Sequence, residues 1–182
     1  MARSLSIAAY LASLGSADGH STPVTHPRRP EGTIIWARCS NPDQLTAVET
    51  LERKLSAEGD PIHVIATLHK WQPEHAPRAL PEPRGKDSIR KFFGHWQPAM
   101  CIWISGDLDA LLMTEIRKAG LLSILVDATS DGLETVAGRW VPGAIRSLLS
   151  EFEAIWALDQ QAADRLLRAG APEERILITG AM

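Results

Sequence analysis

The sequence predicts a doubly wound α/β sandwich, three layers built around a parallel sheet, and three observations carry that prediction. Short apolar runs recur along the chain, as in TIIWAR (33–38), AMCIWI (99–104) and LSILVDA (122–128). Most are separated by a longer stretch whose apolar residues fall at helical spacing and which ends at a glycine. The runs are continuous rather than alternating, which is the pattern of strands buried on both faces, and such strands belong to parallel sheets covered by helices. With 182 residues, 45% of them hydrophobic and 23% charged, the chain can bury one good core, so one globular domain is the natural count.

Taken in order, MARSLSIAAYLASLGS (1–16) is a short apolar segment with Arg3 near its start. It is expected as an N-terminal apolar helix that docks on the domain or lies at an interface. A secretory signal fits it less well, because the apolar stretch is broken by Ser and Tyr and carries one positive charge. No window reaches the roughly 18 apolar residues of a membrane span. Residues 17–30 are rich in Pro, Gly and Ser and read as a linker, leaving 31–182 as the folded domain.

TIIWAR is the first strand. Asp43 then fits an N-cap, and Leu45, Val48, Leu51 and Leu55 continue at helical spacing to Gly59. PIHVIAT (61–67) is the second strand. Residues 70–86 carry four prolines and read mostly as loop. DSIRKFFGHW (87–96) is a short helix, AMCIWI the third strand, and LDALLMTEIRKAG (108–120) a helix closed by Gly120. LSILVDA is the fourth strand, PGAIRSLLSEF (142–152) a helix and EAIWAL (153–158) the fifth strand. A helix over 159–170, capped by Asp159 and stopped by Gly170, then leads to RILITG (175–180) as the sixth.

A net charge of −3 gives no global reason to expect nucleic acid, so basic residues act only in local clusters: Arg28 with Arg29, and Arg84, Lys86, Arg90 and Lys91. Arg90 and Lys91 read as a solvated face, with anionic lipid headgroups as the sharper alternative. Cys39 and Cys101 lie inside apolar runs and read as small core residues in a reducing compartment rather than a disulfide. His63, His69 and His75 are six residues apart across a strand and a Pro-rich loop, which is not a metal-ligand arrangement. His95 reads as a helix end favoured by the dipole. No G-x-G-x-x-G follows any strand, so a stand-alone nucleotide-binding protein is disfavoured.

Ligands in open α/β sheets bind beyond the carboxyl ends of the strands, which directs attention to the turn Ser40, Asn41, Pro42, Asp43. Two readings stand. Ser, Asn and Asp before a helix are ordinary caps, and a carboxylate at such an edge is also the right group for a general base.

Several stretches, in order, resemble the N-terminal half of the 3-deoxy-D-manno-octulosonic acid (Kdo) transferases. They are RPEGTIIW, then IRKFFGHWQPAMCIWISGDLDALLMTEIRKAGLLSILVDAT, then GAIRSLLSEFEAIWALDQQAADRLLRAGAPEERILITG, together covering about residues 29–182. The resemblance implies the first Rossmann-like half of a GT-B glycosyltransferase, with the C-terminal domain absent from this chain and no activity from this half alone. In the family the first strand leads to S-V-G-E, whose Glu is the catalytic base; Asp43 falls on that position if one residue is deleted after Cys39, and Pro42 replaces the Gly. E-S-E-L-W-P becomes Ser105, Gly106, Asp107, Leu108, Asp109, Ala110. N-A-R-L-S becomes Asp127, Ala128, Thr129, Ser130, Asp131, with the Arg lost.

The implied site therefore has Asp43 as base, with Ser40, Asn41, Ser105, Asp107 and Asp127 along the acceptor cleft, and neither metal nor cofactor. The implied partners are a lipid A precursor as acceptor, a CMP-activated sugar held by the second domain, and the cytoplasmic face of the inner membrane, met peripherally or by a weak anchor. Because all three signature turns have changed while the scaffold between them is kept, a non-catalytic paralogue serving as a binding or interaction module is the rival reading.

Overall fold

The computed structural model describes residues 27–59, 61–105, 108–128 and 143–181. Seven parallel strands form one sheet in the order β3-β2-β1-β4-β5-β6-β7. They are β1 (Thr33–Cys39), β2 (Ile62–Leu68), β3 (Leu80–Pro81), β4 (Met100–Ile104), β5 (Leu122–Ala128), β6 (Ala154–Ala157) and β7 (Ile176–Ile178). Among the described residues the α-helices are α1 (Gln44–Ala57), α2 (Lys86–Trp96), α3 (Ala110–Lys118), α4 (Ala144–Leu149) and α5 (Gln160–Arg168). All six expected strands form. The seventh, β3, lies in the Pro-rich stretch expected as loop: two residues at the sheet edge pair with Thr67 and Leu68, and an edge is where a proline without an N–H is tolerated.

The order of the strands decides where the helices go. The chain passes from β1 out to β2 and β3, then returns across the sheet to β4 and continues outward to β7. Right-handed crossovers in these two directions place α1 on one face and α2 to α5 on the other. Two apolar clusters follow. Trp36, Cys101, Trp103, Leu125 and Ile155 point to the face covered by Phe92 of α2, Ile116 of α3, Leu149 of α4 and Leu166 of α5. Ile35, Ala37, Cys39, Ile102, Ile104 and Val126 point to the other, where α1 adds Leu45 and Val48.

Trp36, Trp96 and Trp103 are structural in this core. Trp36 is fully buried against Phe92 and Phe93, with ring centroids 5.2 Å and 5.7 Å away, and its Nε1 donates to Thr67 Oγ1 at 2.8 Å. Thr67 is itself fully buried. Thr67→Val keeps the shape and removes the only acceptor shown for that indole, so it is expected to destabilise the domain by about 1–3 kcal/mol in urea unfolding. A variant as stable as the parent would mean the indole finds another acceptor.

Helix starts correct two expectations. Asp109 and Asp159 cap through their carboxylates, accepting from Leu112 N at 2.9 Å and Ala162 N at 2.7 Å, so α3 begins after Asp109 and not at Leu108. Asp43 does not cap: its φ of −63° and ψ of −29° are already helical, and its side chain bonds no backbone N–H. A capping residue needs an extended backbone to turn its side chain back onto the first turn. Gln44 does that work from inside the helix, its Oε1 accepting from Ser40 N at 2.7 Å and Asn41 N at 3.3 Å.

Cys39 and Cys101 are buried and unpaired by disulfide, as expected. Burial pushes the Cys39 thiol up to about 12 against the opposing charge of Arg38, so it is inert at neutral pH. Arg90 is not a free solvated side chain. It bonds Glu115 on α3 at 3.0 Å, beside Lys118 at 2.6 Å, and ties α2 to α3. His95, expected only to end a helix, bonds Pro27 O at 2.9 Å, while Arg29 Nε donates to Trp96 O at 2.8 Å. The N-terminal helix expected over 1–16 lies outside the described residues. Among those residues no helix is long and apolar enough to cross a membrane.

Candidate active site

The strand order reverses between β1 and β4, and this is the point where the ends of adjacent strands leave a crevice for ligand. Ser40 follows β1, Ser105 follows β4 and Asp127 lies at the end of β5. Two hydrogen bonds stitch these ends into one edge. Ser40 Oγ donates to Ile104 O at 3.3 Å across the reversal, and Ser105 N donates to Val126 O at 2.9 Å. Ser105 and Asp127 have φ of +74° and +49°; with Gln97 they are the only non-glycine residues with positive φ among the described residues. Each such conformation costs roughly 1–3 kcal/mol and is kept where the surroundings enforce it, commonly at ligand sites.

Asn41, Pro42 and Asp43 stand exposed in front of this edge. Because Gln44 satisfies the turn, the Asp43 carboxylate is left with no hydrogen bond or ion pair among the described residues. Of the expected site residues, Ser40, Asn41, Asp43, Ser105 and Asp127 gather on the same edge of the sheet; Asp107 lies outside the described residues.

Behind the turn lies a group that the sequence reading did not single out. Arg38 and Glu82 form a buried ion pair, Nε to Oε2 2.8 Å, with side chains 1% and 2% exposed. His69 Nδ1 meets Glu82 Oε1 at 2.9 Å. An ionised carboxylate has no proton to give, so Nδ1 carries the hydrogen. Arg38 Nη1 then donates to Ser40 Oγ at 3.1 Å, and the guanidinium lies 4.4 Å from the centroid of the Trp103 ring. Burial alone would raise the Glu82 carboxyl; the His69 hydrogen bond together with the charge and hydrogen bond of Arg38 outweighs it and holds the group below its ordinary range.

The three residues come from the C-terminal ends of β1, β2 and β3, so the sheet order itself assembles them. A signal for one of them was present. Arg38 sits between buried Ala37 and Cys39 in a strand apolar on both faces, and such an arginine requires a buried acid. The acid is 44 residues away in a proline-rich segment, and nothing local identifies it. Exposed Arg84 adds further positive charge, its Nη2 held by His69 O at 2.8 Å. No cluster of three or more His, Cys, Asp or Glu side chains suited to a metal ion occurs among the described residues.

The family model described as 3-deoxy-D-manno-octulosonic-acid transferase (kdotransferase) matches residues 19–182. The chain belongs to that family. No curated protein matches it by sequence. Among solved structures it is similar to the UDP-GlcNAc 2-epimerase from Neisseria meningitidis bound to UDP-GlcNAc, at 10% identity and a TM-score of 0.57, covering 81% of this chain and 47% of that one. It is similar also to the UDP-GlcNAc 2-epimerase from Methanocaldococcus jannaschii, at 15% identity and a TM-score of 0.55, covering 82% of this chain and 46% of that one. At such identities the likeness shows the fold alone, and the chain spans under half the length of these structures. Family and fold together bear out the Rossmann-like first half of a GT-B architecture. The Kdo transferase family is one of glycosyltransferases, which makes a transferase the coarse expectation for the protein that carries this domain.

Proposed function

We propose that this domain is the acceptor side of a glycosyltransferase that moves Kdo or a related sugar from a CMP-activated donor to a lipid A precursor, with Asp43 as general base. The observation that carries the reading is the released carboxylate: Asp43 stands at the reversal point of the sheet, and Gln44 does the capping that would otherwise occupy it. The acceptor hydroxyl attacks the anomeric carbon, its proton passes to the Asp43 carboxylate, and CMP departs with the electron pair of the broken bond, inverting the centre. Ser40, Asn41, Ser105 and Asp127 line the acceptor side, joined by Asp107, and a second Rossmann-like half holds the nucleotide. Acyl chains of the acceptor remain in the bilayer, so the protein works peripherally at the cytoplasmic face of the inner membrane.

Support comes from family membership and from the three strand-end turns converging on one edge. The test is a transfer assay with the full-length gene product, CMP-Kdo and a lipid A precursor, read by mass. A product heavier by one Kdo residue is expected. No transfer from a folded protein would overturn the reading and favour a non-catalytic module on the same scaffold.

A further inference from the structure

Arg38 is fully buried in its pair with Glu82, yet apolar side chains in the place of such a pair often hold a fold as well. What the pair supplies here is a fixed direction. Glu82 Oε2 accepts from Arg38 Nε at 2.8 Å, and the guanidinium carbon stands 4.4 Å from the centroid of the Trp103 ring. A guanidinium is planar and rigid, so holding one N–H and one face also aims its other N–H groups. One of them, on Nη1, donates to Ser40 Oγ at 3.1 Å. A serine hydroxyl has a single hydrogen and two lone pairs. With Arg38 on a lone pair, the hydrogen goes to Ile104 O, 3.3 Å away at the end of β4. Ser40 N meanwhile donates to Gln44 Oε1 at 2.7 Å. Ser40 is thus tied to its own strand, to the neighbouring strand and to the first turn of α1. Only Asn41 and Pro42 separate it from Asp43. The proline ring fixes φ at its position, and Leu45 N bonds Pro42 O at 3.1 Å, so a movement of Ser40 passes on to Asp43.

We propose that Arg38, oriented by Glu82, is a positioning residue of this site: acting through Ser40, it sets the turn that carries Asp43. The proposal rests on Asp43 as the base of the transfer described above. Arg38 touches no reacting atom. It governs how closely the Asp43 carboxylate meets the acceptor hydroxyl, so its contribution belongs to kcat and not to KM. Displacing a reacting group by about 1 Å can cost about 10²-fold in rate, which makes a hydrogen bond behind the site a sensitive control of the chemistry in front of it.

The test separates position from stability. Arg38→Leu combined with Glu82→Leu removes both charges and leaves an apolar core, but it also releases Ser40. In the full-length protein, transfer from CMP-Kdo by this double variant should show kcat lower by about 10–100-fold, with KM within about twofold of the parent. Arg38→Lys is the second variant: it keeps a charge for Glu82 and loses the fork that reaches Ser40, so it should show the same fall. In a Ser40→Ala background the double replacement should change kcat by less than about twofold, because the link it acts through is already gone. Amide hydrogen exchange in the same proteins needs no activity. The peptide spanning residues 40–44 should exchange several-fold faster in the double variant, while peptides from β1 and β4 stay as protected as in the parent. Parental kcat in both variants, a rise in KM alone, an equal fall in kcat with and without the Ser40 hydroxyl, or unchanged exchange at 40–44 would overturn the proposal. A parent that transfers nothing overturns the function proposed above and not the hold of Arg38 on the turn, which the exchange result then decides.

Discussion

Replacing Glu82 with Leu is expected to lower the stability of the domain by about 3–5 kcal/mol, because it removes the buried carboxylate that pairs with the Arg38 charge. The side chains of both partners are almost wholly inaccessible, and the guanidinium that pairs with this carboxylate at 2.8 Å also touches Ser40, His69 and the Trp103 ring. A domain of ordinary size has a total stability of about 5–15 kcal/mol, so the loss is a large fraction. Arg38→Leu should be damaging for the complementary reason. The double variant, which removes both charges together, should lose much less than the sum of the singles, since a buried pair replaced by apolar groups is often neutral. Urea unfolding followed by tryptophan fluorescence measures all three. Single variants within about 0.5 kcal/mol of the parent, as for surface substitutions, would show that the pair is dispensable.

The same pair sets an acid limit. The folded Glu82 carboxyl is held below its ordinary value of 4.5, so protons bind it more readily in the unfolded chain. Its contribution is therefore fully present above that ordinary value and is lost as the pH falls through the lower folded value. Glu82→Gln should flatten this part of the stability curve. A parent and variant with the same slope below pH 4.5 would remove Glu82 from the account.

Much of the fold was legible because parallel strands buried on both faces must be continuously apolar, and β1, β2, β4, β5, β6 and β7 each show such a run. β3 was not, since two residues at an edge need no pattern of their own. At the site, the turns after β1, β4 and β5 could be placed on one edge from their positions after strands. Their stitching through Ser40 and Ser105 depends on which strands become neighbours, a property of the folded sheet. Arg38, His69 and Glu82 were hidden for the same reason. Their partnership exists only once β1, β2 and β3 lie side by side. The cap at Asp43 failed differently: the residue types were right, but Gln44 competed for the same N–H groups and prevailed.

That competition is what makes Asp43→Asn decisive. Asn is as good a cap as Asp, and Asp43 bonds no backbone group, so the substitution should leave stability within about 0.5 kcal/mol of the parent. It replaces a proton acceptor by an amide of the same shape, which cannot take the proton of an attacking hydroxyl. In the full-length protein, transfer from CMP-Kdo should therefore fall by about 10²–10⁴-fold, the range a positioned base supplies. Asp43→Glu should retain part of the rate, because it restores the carboxylate on a side chain one methylene longer. Gln44→Ala separates the two roles from the other side: it removes the acceptor for Ser40 N and Asn41 N, so it should destabilise the turn while leaving the carboxylate in place. If Asp43→Asn transfers at the parental rate, the base lies elsewhere on this edge, and the free carboxylate is only an exposed acid at a helix start.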